Sequence, residues 1–469
     1  MSLSASQGAR TASRVLSRDL NRAFPLITHA SGIWYYTQCG RKILDACGGS
    51  AVACLGHGDA RVRAAVAAQM DRLSYCHSQF FSSPVGEGLA RVVVDSTGGA
   101  MARLLTLSSG SEALEAAMKI ARQYYLELPE PQAGRSRFIA RLPSYHGATL
   151  AALSLGGHVS RRAMFEPMLD ANTTRVSQCN ARHGALPGET GKQYGERLAR
   201  ELDAEIRRHP PQTVCAFIAE PVTGASTGCV SAVEGYFGAV KQVCHEHGVL
   251  LIMDEIMCGM GRTGTMHAWQ QEGVSPDIQV IGKAFGGGYV PISGVLINHT
   301  VDAVLQSGSG KFSHGQSFQG HPVANAAALA VLNAIKNDDL LANVQKMGAR
   351  LSQSLKKRLG AHRHVGDIRG RGLFWAIEFV QDKPSKTPFP PEQDVGYSIH
   401  ELASEDPYDI LIYPGKGTID GKVGDHILLA PAYNITSEEI DLIVDKLADL
   451  VEDFFAAGNG KGFNHNRQW

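Results

Sequence analysis

The middle of this chain alternates short apolar runs with longer amphipathic stretches, and few architectures accept that pattern. The apolar runs cover residues 104–107, 137–142, 214–219, 249–253 and 278–281. The stretches with helical spacing cover 111–125, 195–208 and 236–247. Apolar runs of four to six residues between helices read as strands buried on both faces. Regular strand–helix alternation predicts an α/β fold, a mainly parallel sheet with helices on both sides. Such sheets bind ligands beyond the carboxyl ends of their strands. The chemistry-bearing residues of this chain should therefore stand where the apolar runs stop.

After about residue 320 the pattern changes. An Ala-rich helical stretch covers 323–335, a strand is expected near 373–379 and a C-terminal helix near 437–454. A chain of 469 residues exceeds one small core. The expected division is an N-terminal segment 1–69 that joins the smaller domain, a large domain 70–320, and a C-terminal α+β domain 321–469. The tail 458–469 is polar and rich in Gly and Asn, so loose order is expected there.

Composition excludes several partners. Lys+Arg and Asp+Glu both number 45, so no net field draws the chain to nucleic acid or to an acidic membrane. No apolar run reaches the length of about 18 residues that spans a bilayer. The nine cysteines are odd in number and none pair at CxxC spacing, which argues against a disulfide framework or a structural zinc site. A reducing, cytoplasmic setting is expected. The first 18 residues hold Arg10, Arg14 and Arg18, several serines and no acid. That segment reads as a mobile or dimer-wrapping arm, with a mitochondrial presequence as the alternative.

The strongest constellation lies between residues 249 and 291. VLLIMDEI places Asp254 where one buried strand ends, and DIQVIGKAFGGG places Lys283 where the next ends, 29 residues on. A buried carboxylate is costly unless a cation meets it. A lysine in an apolar setting loses proton affinity and becomes a usable nucleophile. Pyridoxal phosphate (PLP) needs both groups: an amine for its aldehyde and an anion that keeps its ring nitrogen protonated. An ordinary Asp–Lys salt bridge at a sheet rim is the alternative reading of this pair.

Other segments fit the same cofactor. In TLSSGSEALEAAMKIA a Ser-Ser-Gly-Ser turn stands directly before a helix, and N–H groups at a helix start favour an anion such as a phosphate. Gly110 admits close backbone approach and Ser111 adds a hydroxyl, although Ser109 or Ser111 could also be a plain N-cap. Tyr145, in SYHGAT, follows a strand and could stack on a ring, with Ile256 covering the other face. Both could equally be core.

These segments together resemble the class III, PLP-dependent aminotransferases. GRKILDACGG, CLGHGD, SSGSEALEAAMKIAR, YHG, AEPVTG, LLIMDEIMCGMGRTG, GKAFGGG, HGQSFQGHP, VGDIRGRGLFWAIEF and LLAPAYNIT run in family order over about residues 15–455. The resemblance implies fold type I: a large domain with a mainly parallel seven-stranded sheet, and a smaller α+β domain. It implies that Lys283 carries PLP as a Schiff base and shuttles the proton, and that Asp254 partners the pyridine nitrogen. It makes Tyr145 the stacking aromatic, with His146 and Ile256 also at the cofactor. Ser109, Gly110 and Ser111 become the phosphate cup and Glu220 a hydrogen-bonding residue nearby. Ser317 stands where the family commonly has Thr, reaching a phosphate across a dimer interface, so a homodimer is implied, with a tetramer as the alternative. The implied reaction moves an amino group from an amine or ω-amino donor to a 2-oxo acid. Isomerases and lyases of the same class keep Lys283 and Asp254, and are the alternative.

The chain also departs from known substrate sites. Members acting on ornithine or 4-aminobutyrate carry a Glu five residues after the AEP glutamate and an Arg before the APP segment; here those positions are Ala225 and Leu428. Amine:pyruvate members use an Arg shortly before a GDH segment; here IDGKVGDH offers Gly421, with Lys422 beside it. Lys422, or a mobile Arg, is therefore the expected carboxylate contact. Ser50 and Ala51 stand where some members carry a bulky aromatic, leaving room for a larger amine. Phe80 and Phe81 are expected as apolar wall. Two motifs are set aside. GMGRTG fits GxGxxG, but Asp254 and Glu255 precede it and no helix follows, which argues against a dinucleotide-binding oxidoreductase. HEH at 245–247 lacks the spacing of a metal site, and no metal is expected.

Overall fold

The computed structural model describes residues 14–458. The expected loose tail beyond 458 and the first part of the Arg-containing N-terminus lie outside the described residues.

Strands β1 (Ile27–Ser31), β2 (Trp34–Thr37) and β3 (Lys42–Asp45) open the fold. The large sheet follows: β4 (Met101–Leu107), β5 (Arg137–Leu142), β6 (Thr173–Ser177), β7 (Val214–Ala219), β8 (Leu250–Asp254), β9 (Ile278–Ile281) and β10 (Ser293–Asn298). Its seven strands lie in the order β4-β10-β9-β8-β7-β5-β6. Only β10 runs against its neighbours β4 and β9, so six strands share one direction. The sheet is thus mainly parallel and seven-stranded, as fold type I requires.

Alternation along the central strands explains why they read as continuous apolar runs. Ile218, Ile252, Ile278 and Val280 pack with Leu114, Ala117 and Ala121 of the helix Gly110–Leu126 on one face. Phe217, Ala219, Leu251 and Met253 pack with Leu198, Leu202, Phe237 and Val240 of the helices Gly191–Arg208 and Tyr236–Glu246 on the other. Each strand is apolar throughout because both of its faces are covered.

The rest of the chain forms β11 (Val365–Arg371), β12 (Phe374–Phe379), β13 (Ile410–Leu411), β14 (Tyr413–Lys416) and β15 (Asp425–Leu429). Four of these make an antiparallel sheet, β11-β12-β15-β14. The helices Leu340–Leu359 and Ser437–Ala456 cover it through Leu351, Leu355, Ile443 and Leu447. The short β13 pairs in parallel with β3, which ties the N-terminal strands to the C-terminal region. The GMGRTG segment is a packed turn. Arg262 is fully buried and donates to the carbonyls of Leu373, at 3.1 Å, and Pro431. Among the described residues no helix is long and apolar enough to cross a membrane.

Candidate active site

Five parallel strands deliver one residue set to one place. β8 ends at Asp254, β7 runs into Glu220, and β9 is followed by Gly282 and Lys283. β5 is followed by Tyr145 and His146, and β4 by Ser109, Gly110 and Ser111. Gly110, Ser111, Tyr145, His146, Glu220, Asp254, Ile256 and Lys283 all line a single cavity of about 240 Å³. It lies beyond the carboxyl ends of the strands, where an open α/β sheet binds its ligand.

Asp254 is held firmly. One carboxylate oxygen pairs with His146 Nδ1 at 2.8 Å, and the other accepts the Ile256 N–H at 3.0 Å. The next residue, Glu255, accepts the N–H groups of Ala268 and Trp269 at 2.7 Å each, outside the cavity lining. Burial pushes the Glu255 carboxyl up to about 8. Burial likewise pushes the Lys283 ammonium down to about 8, with Asp254 pulling the other way. Lys283 thus holds an accessible fraction of free amine near neutral pH. Its φ of 49° is in the left-handed region, an uncommon backbone state for a residue with a side chain.

The helix Gly110–Leu126 points its N-terminus into the same cavity. Ser109 caps it, its hydroxyl accepting the Glu112 N–H at 3.3 Å, while its carbonyl accepts from Ser293 Oγ at 2.7 Å. Ser109 therefore does the capping that its sequence allowed, and it is absent from the cavity lining. The Ser111 hydroxyl accepts the Ala148 N–H at 2.9 Å, fixing the loop after Tyr145. Ile256 packs so closely on Gly110 that a Cβ there would stand 2.7 Å from Ile256 Cδ1. The Tyr145 N–H donates to Glu220 Oε1 at 3.0 Å, and Arg141 donates to the Glu220 carbonyl.

Several expected substrate residues stand elsewhere. Ser50 lines the cavity, but Ala51 is 1% exposed and packs with Val222, Cys229 and Leu428 behind the wall. Lys422 is exposed and off the cavity, because its loop turns at Asp420, whose Oδ1 accepts the Lys422 N–H at 2.8 Å. Phe80 and Phe81 are 69% and 66% exposed and form no wall within the protomer. Ser317 is exposed and outside the protomer's cavity, its carbonyl accepting from Tyr75 Oη at 2.9 Å. The fold instead adds Arg18, Arg161, Val222, Ala225, Met257 and Tyr413 to the lining. Of these, Ala225 stands at a substrate position and Arg18 in the basic N-terminal segment already noted in the sequence. Tyr413 and Arg161 carry no local motif that would mark them.

Comparison with known proteins agrees with this geometry. The family model described as Aminotransferase class-III matches residues 15–451. The chain is 49% identical over 413 residues to an aminotransferase of Gibberella zeae, covering 88% of this chain and 81% of that one. It is 44% identical to an uncharacterised aminotransferase of Schizosaccharomyces pombe, covering 93% of this chain and 94% of that one. The omega transaminase of Pseudomonas jessenii in complex with PMP superimposes with a TM-score of 0.86 at 30% identity, covering 93% of this chain and 94% of that chain. A sheet and cavity of this kind, with those likenesses, define a PLP enzyme of fold type I. Within that class the chain belongs to the class III aminotransferases, which transfer amino groups between amines and keto acids.

The residues fit the cofactor. Two buried polar atoms of cavity-lining residues, Glu220 Oε2 and His146 Nε2, have no hydrogen-bond partner among the described residues. The buried Asp254 carboxylate has a histidine but no Lys or Arg beside it among the described residues. A ligand carrying a protonated ring nitrogen would place a cation in direct contact with Asp254, where the described residues put only His146.

Proposed function

We propose that Lys283 is the residue that takes up PLP and then moves the proton during amino transfer, with Asp254 as the anion beneath the ring nitrogen. The observation that carries this reading is the meeting of a half-buried lysine of lowered proton affinity and a buried, histidine-anchored carboxylate in one cavity at a helix start. When bound, PLP supplies an electron sink for charge that develops on the donor's amine-bearing carbon. The chain supplies the rest. Asp254, fixed by His146 and by the Ile256 N–H, keeps the opposing nitrogen protonated. Gly110 and Ser111 present the helix start to the phosphate. Tyr145 and Ile256 confine the ring from its faces. Lys283 Nζ would hold the cofactor and, as a free amine, would take the proton from the donor carbon.

The donor is an amine or ω-amino compound with a sizeable apolar part, since Ser50, Ala225, Val222, Met257 and Tyr413 leave a cavity wall of small and apolar groups. The working unit is a homodimer. Tyr75 and Phe318 meet at 6.4 Å and both are exposed, as are Phe80 and Phe81, which is apolar surface suited to burial against a second copy. Ser317, exposed beside Phe318, would reach the partner's phosphate.

Lys283→Ala is expected to abolish borohydride fixation of PLP to the chain and nearly all turnover; full activity in that variant would refute the assignment. Asp254→Asn should bind PLP yet lose several tenfold steps in rate, each worth about 1.4 kcal/mol. Release of a carbonyl product in the donor half-reaction, leaving PMP, separates amino transfer from isomerase or lyase chemistry.

A further inference from the structure

Arg161 is a cation in the active cavity with no anion to meet it. It sits on the short helical turn Val159–Arg162 and lines the cavity together with Lys283, Ala225 and Tyr413. Among the described residues its guanidinium meets no carboxylate and no other acceptor. What it does meet is the face of Tyr145, 4.4 Å from the ring centroid. Its neighbour Arg162 is the opposite case. Arg162 is buried, donates to the carbonyls of Leu153, Ser154 and Gly156 at 2.8–2.9 Å, and pairs with Glu166 at 2.9 Å. Arg162 therefore holds the turn rigid, and Arg161 is presented from it.

The same turn explains the missing arginine near the GDH segment. Gly421 has φ +85°, and a Cβ there would stand 2.8 Å from Val159 Cγ2 and 3.4 Å from the Val159 nitrogen. A side chain at position 421 would press on the Val159 methyl of the turn that carries Arg161 and would sit at a strained positive φ. Position 421 offers no cation to the cavity, and the turn packed against it presents one. The charge of Arg161 is felt at Lys283, where it disfavours the ammonium. A half-buried guanidinium beside an aromatic ring is well suited to a planar carboxylate.

We propose that Arg161 is the specificity residue for the 2-oxo acid, binding the acceptor's carboxylate beside Tyr145. This rests on the amino-transfer reading above and names how its acceptor is selected. The cofactor's phosphate would be the competing anionic ligand for Arg161, and the experiment separates the two.

The test uses the PLP-loaded enzyme with Arg161→Met and Arg161→Lys. The ratio of kcat/KM for pyruvate to that for propanal, an acceptor of equal chain length without a carboxylate, should fall about 10- to 100-fold in Arg161→Met, the value of one hydrogen-bonded charge pair. Arg161→Lys should recover part of it. Calorimetry with propionate, which cannot react, should show a parallel loss of affinity. An unchanged ratio and unchanged propionate binding overturn the proposal. A weakened hold on PLP with an unchanged ratio also overturns it, placing Arg161 at the phosphate. A wild-type enzyme that moves no amino group from any amine sinks the functional reading and this proposal together; a working wild type with an indifferent variant sinks this proposal alone.

Discussion

Replacing Gly110 by alanine puts a methyl group where Ile256 already lies. The new Cβ would stand 2.7 Å from Ile256 Cδ1, with Cγ2 and Cγ1 at 3.2 and 3.3 Å. Carbon atoms rest at about 3.5–4.0 Å, so Ile256 must retreat by about 1 Å. Its freedom is small. Its N–H is bound to the Asp254 carboxylate at 3.0 Å, which anchors its backbone. In the cofactor-free protein the open cavity can accept the displaced side chain. With a ring held between Tyr145 and Ile256 it cannot, and overpacking of this kind costs about 1–3 kcal/mol. Gly110→Ala is therefore expected to weaken PLP binding about 5- to 150-fold while leaving the melting temperature of the cofactor-free protein nearly unchanged. Equilibrium dialysis against PLP and thermal circular dichroism of the apoprotein measure the two. PLP affinity within twofold of wild type would refute the claim that Ile256 and the helix start jointly shape the cofactor site.

Two further outcomes follow from the same coordinates. Lys283 has a proton affinity lowered to about 8 in the fold, against 10.5 for a free lysine, so between those values the unfolded chain binds more protons and stability rises with pH. The cofactor-free Lys283→Met variant should accordingly melt above wild type at pH 7, and that advantage should shrink as pH climbs past 8; an advantage that grows with pH would contradict the burial argument. Gly238 lies exposed in the helix Tyr236–Glu246 with nothing within 4 Å of its Cβ position, so Gly238→Ala should raise the melting temperature by about 1–2 °C through helix propensity alone.

The strands are the part of the fold most legible from the chain itself. The spans 137–142, 214–219 and 278–281 match β5, β7 and β9, because a strand covered on both faces writes an uninterrupted apolar run. β6, an edge strand with two of five residues buried, left no such mark, and the short apolar run of β10 says nothing of its reversed direction, which its neighbours decide. The helix edges were legible to within a few residues, the capping box at Thr190 extending Gly191–Arg208 beyond its apolar stripe.

For the site, sequence alone determined the residues that stand at strand ends: Asp254, Lys283, Glu220, Tyr145 and the 109–111 turn. Their placement follows from local periodicity, which fixes where a strand stops whatever the rest of the chain does. Only the tertiary structure decided the substrate side. Ser50 faces the cavity while Ala51 faces the core, Lys422 turns away, and Arg161 enters because Val159 claims the space above Gly421. Such choices are made by segments about 260 residues apart pressing on one another, and side-chain direction at a turn carries no periodic signature in the sequence.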